Sequence, residues 1–284
     1  MAWTSTHPVE LVATADDVER LGVAGVTPVS VDEMAGSCDG IIALGGDGTL
    51  LGAMRLVSRR PVPVLGVNFG NLGFLAEVEG ADLDGALSAM AAGRSTVEMR
   101  GCLVVRHGGA ESLAFNDAVV ARVPGEGLVE ATLLVAGRRY GRYRCDSLIL
   151  ATPMGSTAYN YAAGGPVVSP GVEGILVTPS APMNGISRSV LLGPDEPLRL
   201  ELTGGRPAFE LDGVLVGRLD AGEELEVEWR PDAGRLVRIE GSQAAARSRV
   251  KLSLLDLPLL PQELLELLPE HLRRQLGDRP DRDD

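Results

Sequence analysis

Residues 41–51 read Ile-Ile-Ala-Leu-Gly-Gly-Asp-Gly-Thr-Leu-Leu, an apolar run that meets a glycine-rich turn and then a helical pattern. Strand, glycine turn and helix start are the parts of a phosphate loop in α/β proteins. Gly45, Gly46 and Gly48 let the backbone approach a polyphosphate closely and aim N–H groups at it. Thr49 is placed to cap the helix that carries Leu50, Leu51, Met54, Leu56 and Val57 at helical spacing. Asp47 is the odd member, because a carboxylate repels phosphate unless it holds a metal or takes a proton. The combination points to phosphoryl transfer to a hydroxyl, with Asp47 as the base or as the organiser of Mg²⁺. Alone, Gly-Gly-Asp-Gly is also an ordinary turn sequence.

Three further stretches carry compatible chemistry. Asn68-Phe69-Gly70-Asn71-Leu72-Gly73-Phe74-Leu75 follows a second apolar run, where a ligand loop belongs, with Asn68 and Phe74 as candidate contacts. Asn116-Asp117 falls between two strand-like segments and sets an amide beside a carboxylate, a match for adenine edges or ribose hydroxyls. The longest block, residues 144–160, runs from Arg144, Cys145 and Asp146 to Thr-Pro-Met-Gly-Ser-Thr-Ala-Tyr-Asn, and Ala162-Ala163-Gly164-Gly165-Pro166 follow it. Its Thr-Pro-Met-Gly-Ser-Thr portion, taken alone, has the composition of a surface loop.

Two kinds of element must position these blocks. Residues 9–13 and 26–31 read as short strands around helical turns at 16–21. The strand at Ile41 leads through the glycine turn to a helix over 50–59. Residues 61–68 then form a buried strand, its prolines at the start, where they are tolerated. A helical stretch over 83–92 closes this part. Such alternation predicts a parallel sheet with ligands at the C-terminal ends of its strands.

From about residue 96 the pattern changes. Short β-rich segments at 99–106, 112–115, 118–122, 128–135 and 138–143 are separated by Gly108-Gly109, Pro124-Gly125 and Ala136-Gly137. Segments at 198–202, 208–211, 214–219, 225–229 and 236–240 continue the pattern. The expected architecture is an α/β N-terminal domain, Rossmann-like with a parallel sheet, over residues 1–96. An all-β C-terminal sandwich domain follows over residues 97–251. The leucine-dense tail, residues 252–284, contains an amphipathic piece at 262–268 and is expected to pack on the first domain or on a partner subunit.

Composition narrows the function. The chain of 284 residues is 45% hydrophobic and 4% aromatic, enough for two cores built from Val, Leu, Ala and Ile. A formal charge of −13 argues against a nucleic-acid binder but permits an anionic substrate, since local arginines matter more than the total. Cys38, Cys102 and Cys145 show neither a disulfide framework nor metal spacing, which fits a reducing cytosol. No basic segment followed by an apolar core opens the chain, and no apolar run approaches ~20 residues. The expectation is a soluble cytoplasmic protein without a membrane partner. Lys251 is the only lysine, which excludes a lysine-bearing phosphate loop or a lysine-dependent kinase site near the glycine turn. His7, His107 and His271 pair with no nucleophile or cysteine in the sequence and read as surface or structural.

Together and in this order, the four blocks resemble the NAD kinase family, from about residue 9 to about residue 241. The resemblance implies an α/β domain with the Gly-Gly-Asp-Gly loop and a β-sandwich domain that bracket NAD. It implies transfer of the γ-phosphoryl of ATP, or of inorganic polyphosphate in some members, to the 2′-hydroxyl of the NAD adenosine ribose. Mg²⁺ or another divalent metal would assist, and the chain would form a homodimer or homotetramer. By the same resemblance Asp47 is the proton acceptor, with Gly48 beside it against NAD. Asn116 and Asp117 grip the adenosine, Arg144 and Asp146 line the NAD site, and Ser156, Thr157, Ala158, Tyr159, Asn160 and Ala162 belong to the run that closes over NAD.

The chain also departs from the family. A strand–helix unit usually precedes the part resembling residues 9–21, and on this reading its lack alters the phosphoryl-donor side or the oligomer. Ser147 stands where Gly usually follows the aspartate. Ala181-Pro182-Met183-Asn184-Gly185-Ile186-Ser187 replaces a Cys-Pro-His-Ser-Leu-Ser run, while Arg188 is retained; Val214 replaces a polar residue after Asp212-Gly213. Two other readings stay open. One is a catalytically weak or silent NAD(P)-binding homologue, motivated by these departures. The other is a lipid kinase that shares the Gly-Gly-Asp-Gly-Thr loop.

Overall fold

The computed structural model describes residues 3–22, 24–69 and 74–242 of the chain. Lys251, His271 and the leucine-dense tail lie outside the described residues, as do residues 70–73 of the ligand loop.

The chain opens with β1 (Val12–Thr14), α1 (Ala15–Leu21), β2 (Thr27–Val29) and α2 (Val31–Ser37). Thr14 caps α1 by accepting from the Asp17 N–H, and Gly22 ends it in the left-handed region at φ 59°. β1 and β2 pair in parallel as a separate two-stranded sheet. Next come β3 (Ile41–Leu44), α3 (Asp47–Leu56), β4 (Pro63–Asn68), β5 (Val78–Glu79) and α4 (Leu83–Ala91). β4 is parallel to both β3 and β5, as the strand–helix alternation predicts.

The β-rich part contributes β6 (Ser95–His107), β7 (Ala110–Ala114), β8 (Asp117–Ala121), β9 (Val129–Val135), β10 (Arg138–Cys145) and β11 (Ser147–Ala151). After the short helix α5 (Tyr159–Ala162) follow β12 (Ile175–Ser180), β13 (Asn184–Gly185), β14 (Val190–Leu192) and β15 (Leu198–Gly204). The last are β16 (Ala208–Leu211), β17 (Val214–Arg218) and β18 (Glu224–Ile239). One sheet runs β13-β10-β9-β15-β18-β4-β3, with β5 on β4, and β6 and β7 joined through β18; the other runs β14-β12-β11-β8-β16-β17. The fold is an α/β N-terminal part joined to a β-sandwich.

β18 does the joining. It is antiparallel to β6 along both halves, while its first half is also antiparallel to β15 and its second half runs parallel to β4. Sequence reading gave two strands here, at 225–229 and 236–240. The structure has one strand, because the register irregularity between Arg230 and Gly234 bends the pairing without ending it. Gly234 is required at the bend: a Cβ there would stand 2.3 Å from the Met54 Cε and 2.8 Å from the Phe115 ring.

Leu103, Leu133, Leu148, Leu150, Leu200 and Val227 build the core between the two sheets of the sandwich. A second core sets Leu50, Leu51 and Met54 of α3 against Val64, Leu236 and Phe115, so α3 is packed against both halves of the chain. α4 covers the opposite face of β4 through Ala86, Leu83 and Leu87 against Leu65 and Val67. Leu50 is 1% exposed. We expect Leu50→Ala to lower the unfolding free energy by about 2–5 kcal/mol, from lost transfer energy plus the cavity left behind. Urea denaturation followed by circular dichroism checks this, with the midpoint falling at unchanged slope.

Candidate functional site

The glycine turn is built by close approach. Gly45 donates its N–H to the Val67 carbonyl at 2.9 Å, continuing the β3–β4 pairing one residue past the strand. A Cβ on Gly45 would meet the Thr49 Oγ1 at 2.4 Å. The helix starts at Asp47, with Gly46 as its extended N-cap and no side-chain capping bond. This corrects the expected start at Leu50 with Thr49 as cap: Thr49 lies inside the first turn. Asp at the first helical position suits the partial positive charge of a helix N-terminus. Beyond their chain neighbours and the helix backbone, no atom among the described residues lies within 4 Å of a Cβ built on Gly46 or Gly48.

Asp47 is half-buried, and backbone holds both its oxygens. Phe74 donates its N–H to Oδ2 at 2.9 Å and Leu75 donates to Oδ1 at 3.1 Å. The loop after β4 is thereby tied to the start of α3. Asn68, at the end of β4, is 6% exposed and donates to the Glu79 carboxylate on β5 at 3.1 Å. Phe74 packs against the α3 core.

Asn116-Asp117 forms a second cluster, organised by a residue that is not among the sequence candidates. The Asp212 side chain is fully buried and accepts backbone N–H groups from Phe115 at 3.1 Å, Asn116 at 2.7 Å and Asp117 at 3.1 Å. Arg55, in the last turn of α3, closes a short ion pair with the same carboxylate. Asp47 and Arg55 therefore lie near opposite ends of one helix, and Arg55 reaches the turn that presents Asn116. The Asp212-Gly213 dipeptide was the one sequence signal: with φ of 48° and 75° it makes the tight hairpin between β16 and β17.

The Asn116 Oδ1 is buried and has no hydrogen-bond partner among the described residues. The Asn116 carbonyl accepts from the Thr152 N–H at 2.8 Å, and a Cβ on Gly155 would meet that carbonyl oxygen at 2.0 Å, so the Thr-Pro-Met-Gly run lies directly against this turn. The Thr152 hydroxyl donates to the Phe115 carbonyl at 2.6 Å and accepts from the Gly155 N–H at 2.9 Å. Ser156 and Asn160 are both fully buried. Asn160 donates to the Ser156 and Pro166 carbonyls and accepts from the Thr178 hydroxyl at 2.6 Å, while Ser156 Oγ bonds the backbone of Val168. These two side chains clamp the segment. Thr157 and Ala158 are half-buried, and Tyr159 and Ala162 are exposed. The Tyr159 hydroxyl lies 3.1 Å from the Ser147 Oγ, so the serine that departs from the family pattern anchors this ring.

Asp117 is 4% exposed. Burial, reinforced by the Asp212 and Glu210 carboxylates, pushes its carboxyl up to about 7, against the opposing effect of a hydrogen bond from the Tyr159 backbone. Asp146 pairs with Arg122 at 2.9 Å. Arg144 is not brought to the Asp117 cluster by any described contact: on β10 it pairs with Glu130 of β9 at 2.9 Å, and its neighbours Tyr143 and Cys145 are the residues that point into the core. Met183 is 66% and Val214 55% exposed, so neither apolar replacement is buried for packing. His7 stacks on Trp3 and His107 bonds Glu223, in keeping with surface or structural roles. No helix among the described residues is long and apolar enough to cross a membrane.

Comparison with known proteins bears on this geometry. The family model for the ATP-NAD kinase N-terminal domain matches residues 9–95, and that for the ATP-NAD kinase C-terminal domain matches residues 115–238. The chain is 41% identical over 225 residues to the NAD kinase of Symbiobacterium thermophilum, covering 77% of this chain and 80% of the relative. It is 36% identical over 264 residues to NAD kinase 1 of Streptomyces avermitilis, covering 79% and 74%. In fold it is similar to yeast NADH kinase complexed with NADH, at TM-score 0.78 and 23% identity over 89% of this chain and 80% of that one. It is also similar to an NAD kinase from Archaeoglobus fulgidus in complex with ATP, at TM-score 0.66 and 24% identity over 84% and 92%.

The Asp117 environment has a consequence for stability. In the unfolded chain this carboxyl returns to its ordinary value of 3.8, so between that pH and about 7 the folded protein binds more protons than the unfolded one. The contribution of Asp117 is fully present below the lower value and is lost as pH rises through about 7. We expect Asp117→Asn to flatten this part of the profile and to raise stability relative to the parent at pH 8 more than at pH 4. Thermal melts across that range check it.

Proposed function

This chain belongs to the NAD kinase family and is an enzyme that phosphorylates NAD, and we propose that the acceptor is the 2′-hydroxyl of the adenosine ribose and the donor the γ-phosphoryl of ATP or of polyphosphate. One observation carries the reading: α3 presents Asp47 at its first residue, and through Arg55 and Asp212 it holds the turn that carries Asn116 and Asp117. A base and a nucleoside-gripping pair are thus fixed to one rigid element.

In the proposed step the ribose 2′-oxygen bonds to the transferred phosphorus, the bond to the leaving phosphate breaks, and the hydroxyl proton passes to Asp47. The backbone N–H groups of Phe74 and Leu75 orient the Asp47 carboxylate for that transfer. Gly46 and Gly48 open the backbone to phosphate oxygens, a use that fits positions where no described side chain crowds them. The unpartnered Asn116 Oδ1 accepts from the nucleotide, and Asp117 receives a donor there. Tyr159, with Thr157, Ala158 and Ala162 alongside, covers NAD, while Ser156 and Asn160 hold that run in place.

Among the described residues no group of three or more His, Cys, Asp or Glu converges on a metal. Asp47 beside the glycine loop suits a Mg²⁺ that takes most of its ligands from phosphates and water. When bound, the ion neutralises phosphate charge and aligns the donor. A homodimer or homotetramer in the cytoplasm completes the reading. The free thiols of Cys38, Cys102 and Cys145 suit a reducing compartment, and outward-facing Arg144 is open to a second copy.

The exposed Met183 and Val214 favour one second reading, an NAD(P)-binding homologue of low or no turnover. A coupled assay of NADP formation with Mg²⁺ and ATP or polyphosphate in parallel separates the readings. Turnover with either donor supports the kinase and identifies the donor. Silence with both, alongside NAD binding by calorimetry, favours the homologue, and phosphorylation of lipid instead would overturn both. We expect Asp47→Asn to fold normally and to lose at least ~100-fold in kcat, the scale of a lost general base; near-native turnover removes Asp47 from the mechanism. Asp146→Ala should raise KM for NAD with a smaller effect on kcat, and an unchanged KM contradicts its placement in the NAD site.

A further inference from the structure

The backbone that grips Asp47 is itself held by a residue from the far end of the chain. Arg238, on the half of β18 that runs beside β4, points its guanidinium at three acceptors. Its Nη1 donates to the Leu75 carbonyl at 3.3 Å and to the Glu77 Oε2 at 2.9 Å, and its Nε donates to the Glu98 Oε2 at 2.7 Å. Glu77 is 1% exposed. Its other oxygen accepts from the Ile239 N–H at 2.9 Å and from the Ser242 hydroxyl, and its own N–H donates to the Gly66 carbonyl at 2.8 Å. The segment 75–77 is therefore pinned to β18 on one side and to β4 on the other. The Leu75 N–H, on the same residue whose carbonyl Arg238 holds, is the one aimed at the Asp47 Oδ1.

We propose that Arg238 is a positioning residue for Asp47: it fixes the backbone of Leu75 and, through Glu77, the segment whose N–H groups orient the Asp47 carboxylate. This rests on the reading of Asp47 as proton acceptor. Arginine is the side chain the arrangement requires, because its planar fork directs donors at a carbonyl and two carboxylates at once. A lysine in its place keeps a positive charge beside buried Glu77 but offers one compact ammonium, which cannot hold all three acceptors in the same geometry. A rotation of the Leu75 peptide would turn the carboxylate oxygens relative to the ribose hydroxyl. Proton transfer depends on that alignment, whereas NAD affinity, set by the Asn116 and Tyr159 side of the site, does not.

The alternative is an ion-pair network that serves stability alone, and the test separates the two. Full-length Arg238→Lys and Glu98→Gln proteins would be assayed for kcat, KM for NAD and melting temperature, with hydrogen exchange followed over residues 74–77. Glu98→Gln keeps an acceptor for the Arg238 Nε and touches nothing at Asp47. We expect Arg238→Lys to lower kcat by about tenfold or more while KM changes less than about twofold, the mark of an interaction felt only in the reacting state. Exchange over 74–77 should quicken in that variant with α3 unaffected. Glu98→Gln should lower the melting temperature and leave kcat within about twofold of the parent. In an Asp47→Asn background, Arg238→Lys should change the residual kcat by less than about twofold, because the group it positions is gone.

An unchanged kcat in Arg238→Lys overturns the proposal. So does an equal loss in both backgrounds, or a loss of kcat in Glu98→Gln that tracks its loss of stability. Near-native turnover of Asp47→Asn by itself is a different failure, that of the proton-acceptor reading.

Discussion

A fully buried Asp212 carboxylate that accepts three consecutive backbone N–H groups and the Arg55 guanidinium sets the constraint on which the site depends. Leaving a charge of this kind without its partner costs about 3–5 kcal/mol in typical proteins, so neither Asp212 nor Arg55 is free to move without the other. Arg55 belongs to α3 and Asp212 to the hairpin after β16, so the pair clamps the α/β part to the sandwich at the point where both carry candidate site residues. The hairpin turn serves two ends. Asp-Gly supplies the left-handed conformations that a two-residue turn demands, and the same aspartate turns inward to cap the 115–117 backbone.

A second constraint comes from β18. Because one strand is antiparallel in the sandwich and parallel beside β4, the orientation of the two halves is set by backbone pairing as well as by side-chain packing. Gly234 at the bend lets Met54 of α3 and Phe115, the residue before Asn116, approach the same stretch of backbone. Side chains from the glycine-loop helix, the Asn-Asp turn and β18 share one core as a result. Rigidity of this kind suits phosphoryl transfer, where positioning and charge placement do most of the catalytic work.

Much of this could be read from the sequence, and the rest has identifiable reasons for being hidden. The glycine turn between apolar strand and helix, the alternation up to residue 92 and the short β segments after it all rest on local periodicity. β11 was absorbed into the long polar block because Ser147–Ala151 is buried on both faces and lacks the alternation that marks a half-exposed strand. β12 was passed over for the same reason. The start of α3 was misplaced because its cap is a glycine, which leaves no side-chain signature. Arg55 and Asp212 stand 157 residues apart, and Arg238 lies 163 from Leu75. No spacing rule links such pairs; only the fold brings them together. The candidate residues of the 156–162 run are of two kinds: Asn160 and Ser156 are buried clamps, while Tyr159 and Thr157 offer surface.

Three aspartates show how environment divides labour among identical side chains. Asp212 has a cation and three amide donors, and such a carboxylate is used up in holding the structure. Asp117 is as deeply placed but sits beside Asp212 and Glu210 without an ion pair among the described contacts, so burial pushes its carboxyl to about 7. A group so short of donors gains from any ligand that brings one, and the unpartnered Asn116 Oδ1 beside it has the same need. Asp47 lies between these extremes, half-buried at a helix N-terminus with one backbone donor on each oxygen. Its carboxylate is oriented by the backbone of the loop that follows β4. Of the three, Asp47 is the one that backbone N–H groups hold at the glycine loop, and this placement suits the proposed action on a hydroxyl.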